Sequence, residues 1–349
     1  MTRLEAARVL RPDGSLRPGA VVWAGDRIQA VEDIPPGAHP DRTLIPGLID
    51  LQVNGYADVD VATGSADALD ALDHRLATAG TTAWCPTLTS RPLDWYAGWF
   101  ADHPRPVAGE IGVHLEGPFI ARPGAHRPEV LRAPDAGWIA ELPSRVALVT
   151  LAPELPGAMA AIGQLSPHRV VALGHSEATF AQAQEAAGCG ATLVTHVFNA
   201  MPGLHHREPG LVGAALARHG LTPAVIGDGV HVHAAILRLV LDSGPAVIVT
   251  DSVAWENRPA LVVERGAARL HDGTLAGSVI TAAEALRTAV GAGVGLADGL
   301  AALTATPARI MRRADLGIIA PGARADVVEL DPALQVTRVW RGGQPVEGR

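Results

Sequence analysis

The chain of 349 residues contains no lysine; all 28 basic side chains are arginine. That absence excludes a Schiff-base lysine, a lysine general base and a Walker-type phosphate loop. It also excludes a metal pair bridged by a carboxylated lysine. An anion must be held by arginine, histidine, backbone N–H groups or a metal ion. The two cysteines, Cys85 and Cys189, supply neither a disulfide framework nor a paired-cysteine metal knuckle, and both read as packed core or helix-end residues. Aromatics make up only 4%, so the core must be mainly Ala, Val, Leu and Ile. No apolar run approaches a membrane span, and the opening MTRLEAARVL is too charged for a signal peptide. A cytoplasmic protein that binds no membrane is the expectation. A net charge of −8 and the lack of an arginine stripe argue against nucleic acid as a partner.

What is present is a folded, well-buried chain, with 48% hydrophobic residues. Its length exceeds one simple core and suggests a large domain plus a smaller one. Residues 1–45 and 315–349 read as short strands with turns at Asp13-Gly14, Gly25-Asp26 and Gly342-Gly343. Together they predict a small β-sandwich built from both chain ends. The middle, residues 46–314, alternates strands with helices. Strands are predicted at 48–53, 81–86, 110–115, 146–151, 169–174, 192–197, 223–227 and 246–250, with helices at 66–78, 177–187 and 234–241 among those between them. Eight such repeats point to an α/β fold, a (β/α)8 TIM-like barrel. A doubly wound open sheet is the runner-up, although no GxGxxG follows the first strand.

Residues able to do chemistry cluster just after these strands. Gln52 and Asn54 follow the first, His114 and Glu116 the third, His175 the fifth and His196 the sixth. His231 comes shortly after the seventh and Asp251 ends the eighth. In a barrel these positions share one mouth, where active sites form. Glu116, His175 and His196 make a metal set, with a position left open for water. Each histidine alone would equally suit a polar residue capping a strand. Asp251 is read either as a turn cap or as a general acid/base beside a metal-bound water.

The motifs carry a resemblance. They are PGLIDLQVNG at 46–55, HLEGP at 114–118, TLAPE at 150–154, GHS at 174–176, THVFNAMP at 195–202 and REPG at 207–210. GDGVH at 227–231, VTD at 249–251 and GTLAGS at 273–278 complete the set. From about residue 45 onward the sequence resembles the amidohydrolase superfamily and, within it, the N-acetylglucosamine-6-phosphate deacetylase family. HLEGP and THxxNAMP with REPG downstream are the specific motifs. The resemblance implies a (β/α)8 barrel with a small β-sandwich, and removal of acetate from N-acetylglucosamine 6-phosphate. It implies Glu116, His175 and His196 as metal ligands and Asp251 as catalytic acid/base. It implies that His126 contacts the substrate amide carbonyl, and that Asn199, the backbone at Ala200, Arg207 and His231 bind the sugar phosphate. It also implies a homodimer in which Arg207 reaches the neighbouring active site.

Many amidohydrolases begin the barrel with His-x-His, which serves a second metal. Here the segment reads Gln52-Val53-Asn54, and amides are poor ligands beside imidazole. The expectation is one divalent ion per chain, zinc first, with iron, manganese or cobalt as alternatives, and Gln52 and Asn54 as a vestigial second position. Residues 252–259, just after Asp251, depart from the family's wording. Two alternative functions stand beside the deacetylase. One is an amidohydrolase acting on another N-acyl substrate; the other is a non-catalytic metal-binding scaffold.

Overall fold

The computed structural model describes every residue except Pro36, Ala38, His219 and Arg349. Eight strands run parallel in one sheet, in their order along the chain: Leu48–Val53, Thr81–Thr89, Val113–Glu116, Val146–Leu151, Val170–Leu173, Leu193–Val194, Thr222–Ile226 and Val247–Val249. The first and last also meet. Val53 bridges Ser252, and the Asn54 N–H donates to the Ser252 carbonyl at 2.8 Å. Below them, Thr250 Oγ1 lies 2.6 Å from Asp50 Oδ2. The sheet therefore closes into a (β/α)8 barrel, and the open-sheet alternative falls.

Period-two alternation sorts each strand's side chains. Ile49, Leu51, Ala83, Cys85, Ala172, Ala224, Ile226, Val247 and Val249 form one buried cluster, with Ala308, Met311 and Leu316 packed against them. Their neighbours in sequence, such as Leu48, Trp84, Val171, Val225 and Ile248, join the larger core that includes buried helix residues. Burial on both faces explains why the strands read as continuous apolar runs. Cys85 lies within the barrel cluster, and Cys189 caps the C-terminal end of a helix.

Local chemistry sets the helix starts. Ser65 caps Ala66–Thr78 by accepting the Ala68 N–H. The helix expected from residue 177 begins later, at Phe180–Gly188. Thr179 and Gln182 form a reciprocal capping box there, while Glu154 holds the Glu177 N–H and the Ser176 hydroxyl in the preceding turn.

Both chain ends contribute to one seven-stranded sheet, in which Thr43–Pro46 lies between Thr2–Leu10 and Val327–Leu330. Trp23 packs edge-on against Trp340 at 5.6 Å, and its indole N–H donates to the Gly343 carbonyl. These ends fit a small β domain. A further sheet, not anticipated from the sequence, follows the eighth barrel strand. It comprises Leu261–Glu264, Ala267–Leu270 and Leu275–Ser278, all antiparallel. The Ser278 N–H donates to the Asp251 carbonyl, tying this sheet to the barrel mouth. Among the described residues no helix is long and apolar enough to cross a membrane.

Candidate active site

His175, His196 and Asp251 each stand two residues beyond the end of a barrel strand. All three leave the strand in the left-handed region, with φ of 49°, 26° and 48°. A non-glycine residue there costs about 1–3 kcal/mol and persists only where its surroundings hold it. The turn aims all three side chains into the mouth. Glu116 reaches the same space from the last position of the third strand.

Three electron-rich atoms converge at that point. His196 Nε2 lies 2.9 Å from Glu116 Oε1, His175 Nε2 lies 3.3 Å from it, and the two ring nitrogens are 3.1 Å apart. His175 Nδ1 faces the Arg122 carbonyl at 2.7 Å. A carbonyl only accepts, so Nδ1 carries the proton and the Nε2 lone pair points inward. A carboxylate oxygen and an imidazole lone pair at this spacing repel unless a proton or a cation lies between them. The buried Glu116, His175 and His196 donors, all within 4.8 Å of one another, could hold one metal ion. The carbonyl behind His175 supplies the ring orientation that metal-binding histidines require. Burial alone would raise the Glu116 carboxyl, but His126, His175 and His196 outweigh it and hold the group well below its usual range.

Gln52 and Asn54 occupy the neighbouring space as amide donors. Gln52 Nε2 donates to Glu116 Oε1 at 2.8 Å, and Asn54 Nδ2 donates to Asp251 Oδ1 at 2.7 Å. Each neutral amide stabilises a carboxylate. Burial pushes the Asp251 carboxyl up to about 8, and the Glu116 charge adds to the rise.

Asn54, Glu116, His175, His196 and Asp251 line a cavity of about 400 Å³ at the barrel mouth. Its wall also contains His126, Asn199, Ala200 and His231, and the late hairpin covers one side with residues 274–277. Burial depresses the His126 imidazole, and Glu116 only partly offsets that. His231 Nδ1 lies 2.6 Å from Asp228 Oδ2, while Asp228 Oδ1 accepts the Val230 and His231 N–H groups. Burial works against the Asp228 charge, but these donors win and its carboxyl is lowered.

The amidohydrolase family model matches residues 43–346. The chain belongs to the amidohydrolase family. It is 35% identical to an N-acetylgalactosamine-6-phosphate deacetylase of Escherichia coli O157:H7 over 98% of both chains. It is 36% identical to an N-acetylglucosamine-6-phosphate deacetylase of Danio rerio, covering 88% of this chain and 85% of that one. Among solved structures, it resembles a D267A mutant of the N-acetyl-D-glucosamine-6-phosphate deacetylase of Mycobacterium smegmatis in complex with N-acetyl-D-glucosamine-6-phosphate. The TM-score is 0.92 at 34% identity, over 99% of each chain.

In this amidohydrolase, Glu116, His175, His196, Asp251, His126, Asn54, Asn199, Ala200 and His231 share one cavity, with Gln52 hydrogen-bonded to Glu116. Arg207 does not join them. It is exposed, outside the cavity wall, and its guanidinium lies 2.7 Å from His206 Nε2. Sequence reasoning missed Thr87, Thr89, Ser90 and Arg91, which end or follow the second barrel strand. Their position after a strand was the available signal, but none is a usual metal ligand. It also missed Asp50, which links the first and last strands, and the role of Asp228 behind His231.

Proposed function

We propose that this chain hydrolyses the N-acetyl group of N-acetylglucosamine 6-phosphate, giving glucosamine 6-phosphate and acetate. The observation that carries this reading is Asp251. A partly buried acid, held by Asn54, lines the same cavity as the Glu116, His175 and His196 cluster and His126. A scaffold has no use for such an acid, and a hydrolase needs one.

The residues divide the work. Glu116, His175 and His196 hold a divalent cation, zinc first among the candidates. When bound, the cation supplies Lewis-acid polarisation of the acyl carbonyl and of the attacking water. Asp251 takes a proton from that water and passes it to the departing amine nitrogen. Asn54 keeps Oδ1 occupied, so the proton moves at Oδ2. His126 hydrogen-bonds the acyl oxygen as charge develops on it. The sugar phosphate sits against Asn199, the Ala200 backbone and His231. A carboxylate only accepts, so Asp228 takes the Nδ1 proton of His231 and steadies the ring beside the phosphate. Gln52 and Asn54 fill the second metal position with amides, so one ion per chain suffices.

Arg207 is exposed and lies outside the wall of its own cavity, which suits donation to the active site of a second copy. The working form is then a cytoplasmic homodimer, with residues 46–314 as the catalytic barrel and residues 1–45 and 315–349 as the small domain. The test is acetate release from N-acetylated glucosamine, galactosamine and mannosamine 6-phosphates and their unphosphorylated forms, with defined metals. Release from the glucosamine 6-phosphate is expected to lead. Release from none of them would overturn the reading, and preference for another epimer would reassign the sugar. Arg207→Ala should raise KM for the phosphorylated sugar alone.

A further inference from the structure

We propose that Ser90 is a positioning residue that holds His126 in the tautomer with its proton on Nε2, so that the ring donates into the cavity. The proposal deepens the deacetylase reading and rests on it for the role of His126. The geometry itself is independent of the substrate.

His126 offers two ring nitrogens, and only one can donate in the neutral ring. Nδ1 faces Ser90. The Ser90 backbone N–H lies 3.3 Å from it, and the Ser90 hydroxyl 2.8 Å. A backbone N–H has no lone pair and can only donate. Nδ1 is therefore the acceptor, and the proton belongs on Nε2. Nε2 is the nitrogen on the Glu116 side, 3.5 Å from Oε2, within the cavity that His126 lines. An acyl oxygen gaining negative charge needs a donor there, and the opposite tautomer would present a lone pair.

Ser90 is itself clamped. Tyr96 Oη accepts the Arg91 N–H at 3.1 Å and donates to the Thr89 carbonyl at 3.2 Å, gripping the residues on either side. The Arg91 guanidinium adds a bond to the Ser90 carbonyl at 3.0 Å. Space is reserved for the hydroxyl as well. A Cβ at Gly117, the residue after Glu116, would lie 2.2 Å from Ser90 Oγ, and its φ is +81°. The glycine of HLEGP thus protects the Ser90 contact with His126. His231 provides a contrast inside the same cavity. Its Nδ1 meets the Asp228 carboxylate, an acceptor. The two cavity histidines are therefore set by partners of opposite kind.

The test combines 15N spectroscopy of the metal-loaded protein with kinetics. His126 signals are assigned by their loss in His126→Gln. In the native protein, His126 Nδ1 should carry the shift of an unprotonated nitrogen and Nε2 that of a protonated one. Ser90→Ala should lower kcat about 10- to 100-fold, the usual cost of removing an orienting partner, with KM changed far less and metal content unchanged. In a His126→Gln background, Ser90→Ala should have no further effect. A proton found on Nδ1, an unchanged kcat in Ser90→Ala, or an equal loss in both backgrounds would each overturn the proposal. If no hexosamine phosphate is turned over, the deacetylase reading fails, and the spectrum alone decides the tautomer.

Discussion

Asn54 donates its amide to Oδ1 of Asp251 across 2.7 Å, joining the first barrel strand to the eighth across 197 residues of sequence. The other end of the amide, Oδ1, is buried with no hydrogen-bond partner among the described residues. Asn54 is therefore committed to the carboxylate. Asp251→Asn should lower turnover about 10²- to 10⁴-fold with metal content intact, because the Glu116, His175 and His196 cluster is untouched. Asn54→Ala should cost less, about 10- to 100-fold in kcat, with little change in KM. Steady-state kinetics beside metal analysis separate these outcomes from loss of the ion. Normal turnover in Asp251→Asn would remove it from the mechanism.

Metal stoichiometry tests the roles of Gln52 and Asn54. Elemental analysis of the purified protein should find about one divalent ion per chain. Glu116→Gln should abolish tight binding, since it removes the carboxylate facing both histidine nitrogens. Stripping with a chelator should lower the melting temperature of the native protein and leave that of Glu116→Gln unchanged. Two tightly held ions would contradict the reading of the amides.

The Asp228–His231 pair makes a prediction about phosphate. In Asp228→Asn, an amide N–H can face His231 Nδ1, which must then accept. The ring then loses the carboxylate that orients it. KM for the phosphorylated sugar should rise about tenfold, the difference between a charge-assisted and a neutral hydrogen bond. KM for the unphosphorylated sugar should stay within twofold or so on the same argument. Equal rises for both would mean that Asp228 only supports the loop.

Asp50 gives the fold a pH dependence. Burial raises its carboxyl from 3.8 to about 6, against the hydrogen bonds from Thr250 and from the Gln52 and Thr250 amides. The folded chain therefore keeps a proton that the unfolded chain has released. Between about pH 4 and pH 6 this group's contribution to stability falls as pH rises, by roughly 3 kcal/mol in all, and is flat above. Neutral Asp50 fits its surroundings, because a protonated Oδ2 can donate to Thr250 Oγ1, which lies 3.4 Å from the Gln52 carbonyl. Asp50→Asn mimics that form. Denaturant titrations should show the variant without this slope, and at least as stable as the native protein at pH 8. Identical slopes for the two proteins would refute the assignment.

The sequence by itself determined the repeating strand-and-helix pattern, the lysine-free chemistry and the residues that end the third, fifth, sixth and eighth strands. These follow from local rules. Apolar runs mark strands buried on both faces, and a polar residue just past a strand faces the barrel mouth. Where local chemistry was subtle, as at the Thr179 capping box, the boundary moved by a few residues. Motif resemblance placed His126, Asn199 and Ala200, which lie with the rest in one cavity. Only the tertiary structure decided what stands behind each of them. Ser90 meets His126 across 36 residues, and Asp50 meets Thr250 across 200. The same is true of the exposed course of Arg207 and of the hairpin that walls the mouth. Such contacts depend on barrel closure, which brings distant strand ends together, and no periodicity along the chain encodes which two ends will meet.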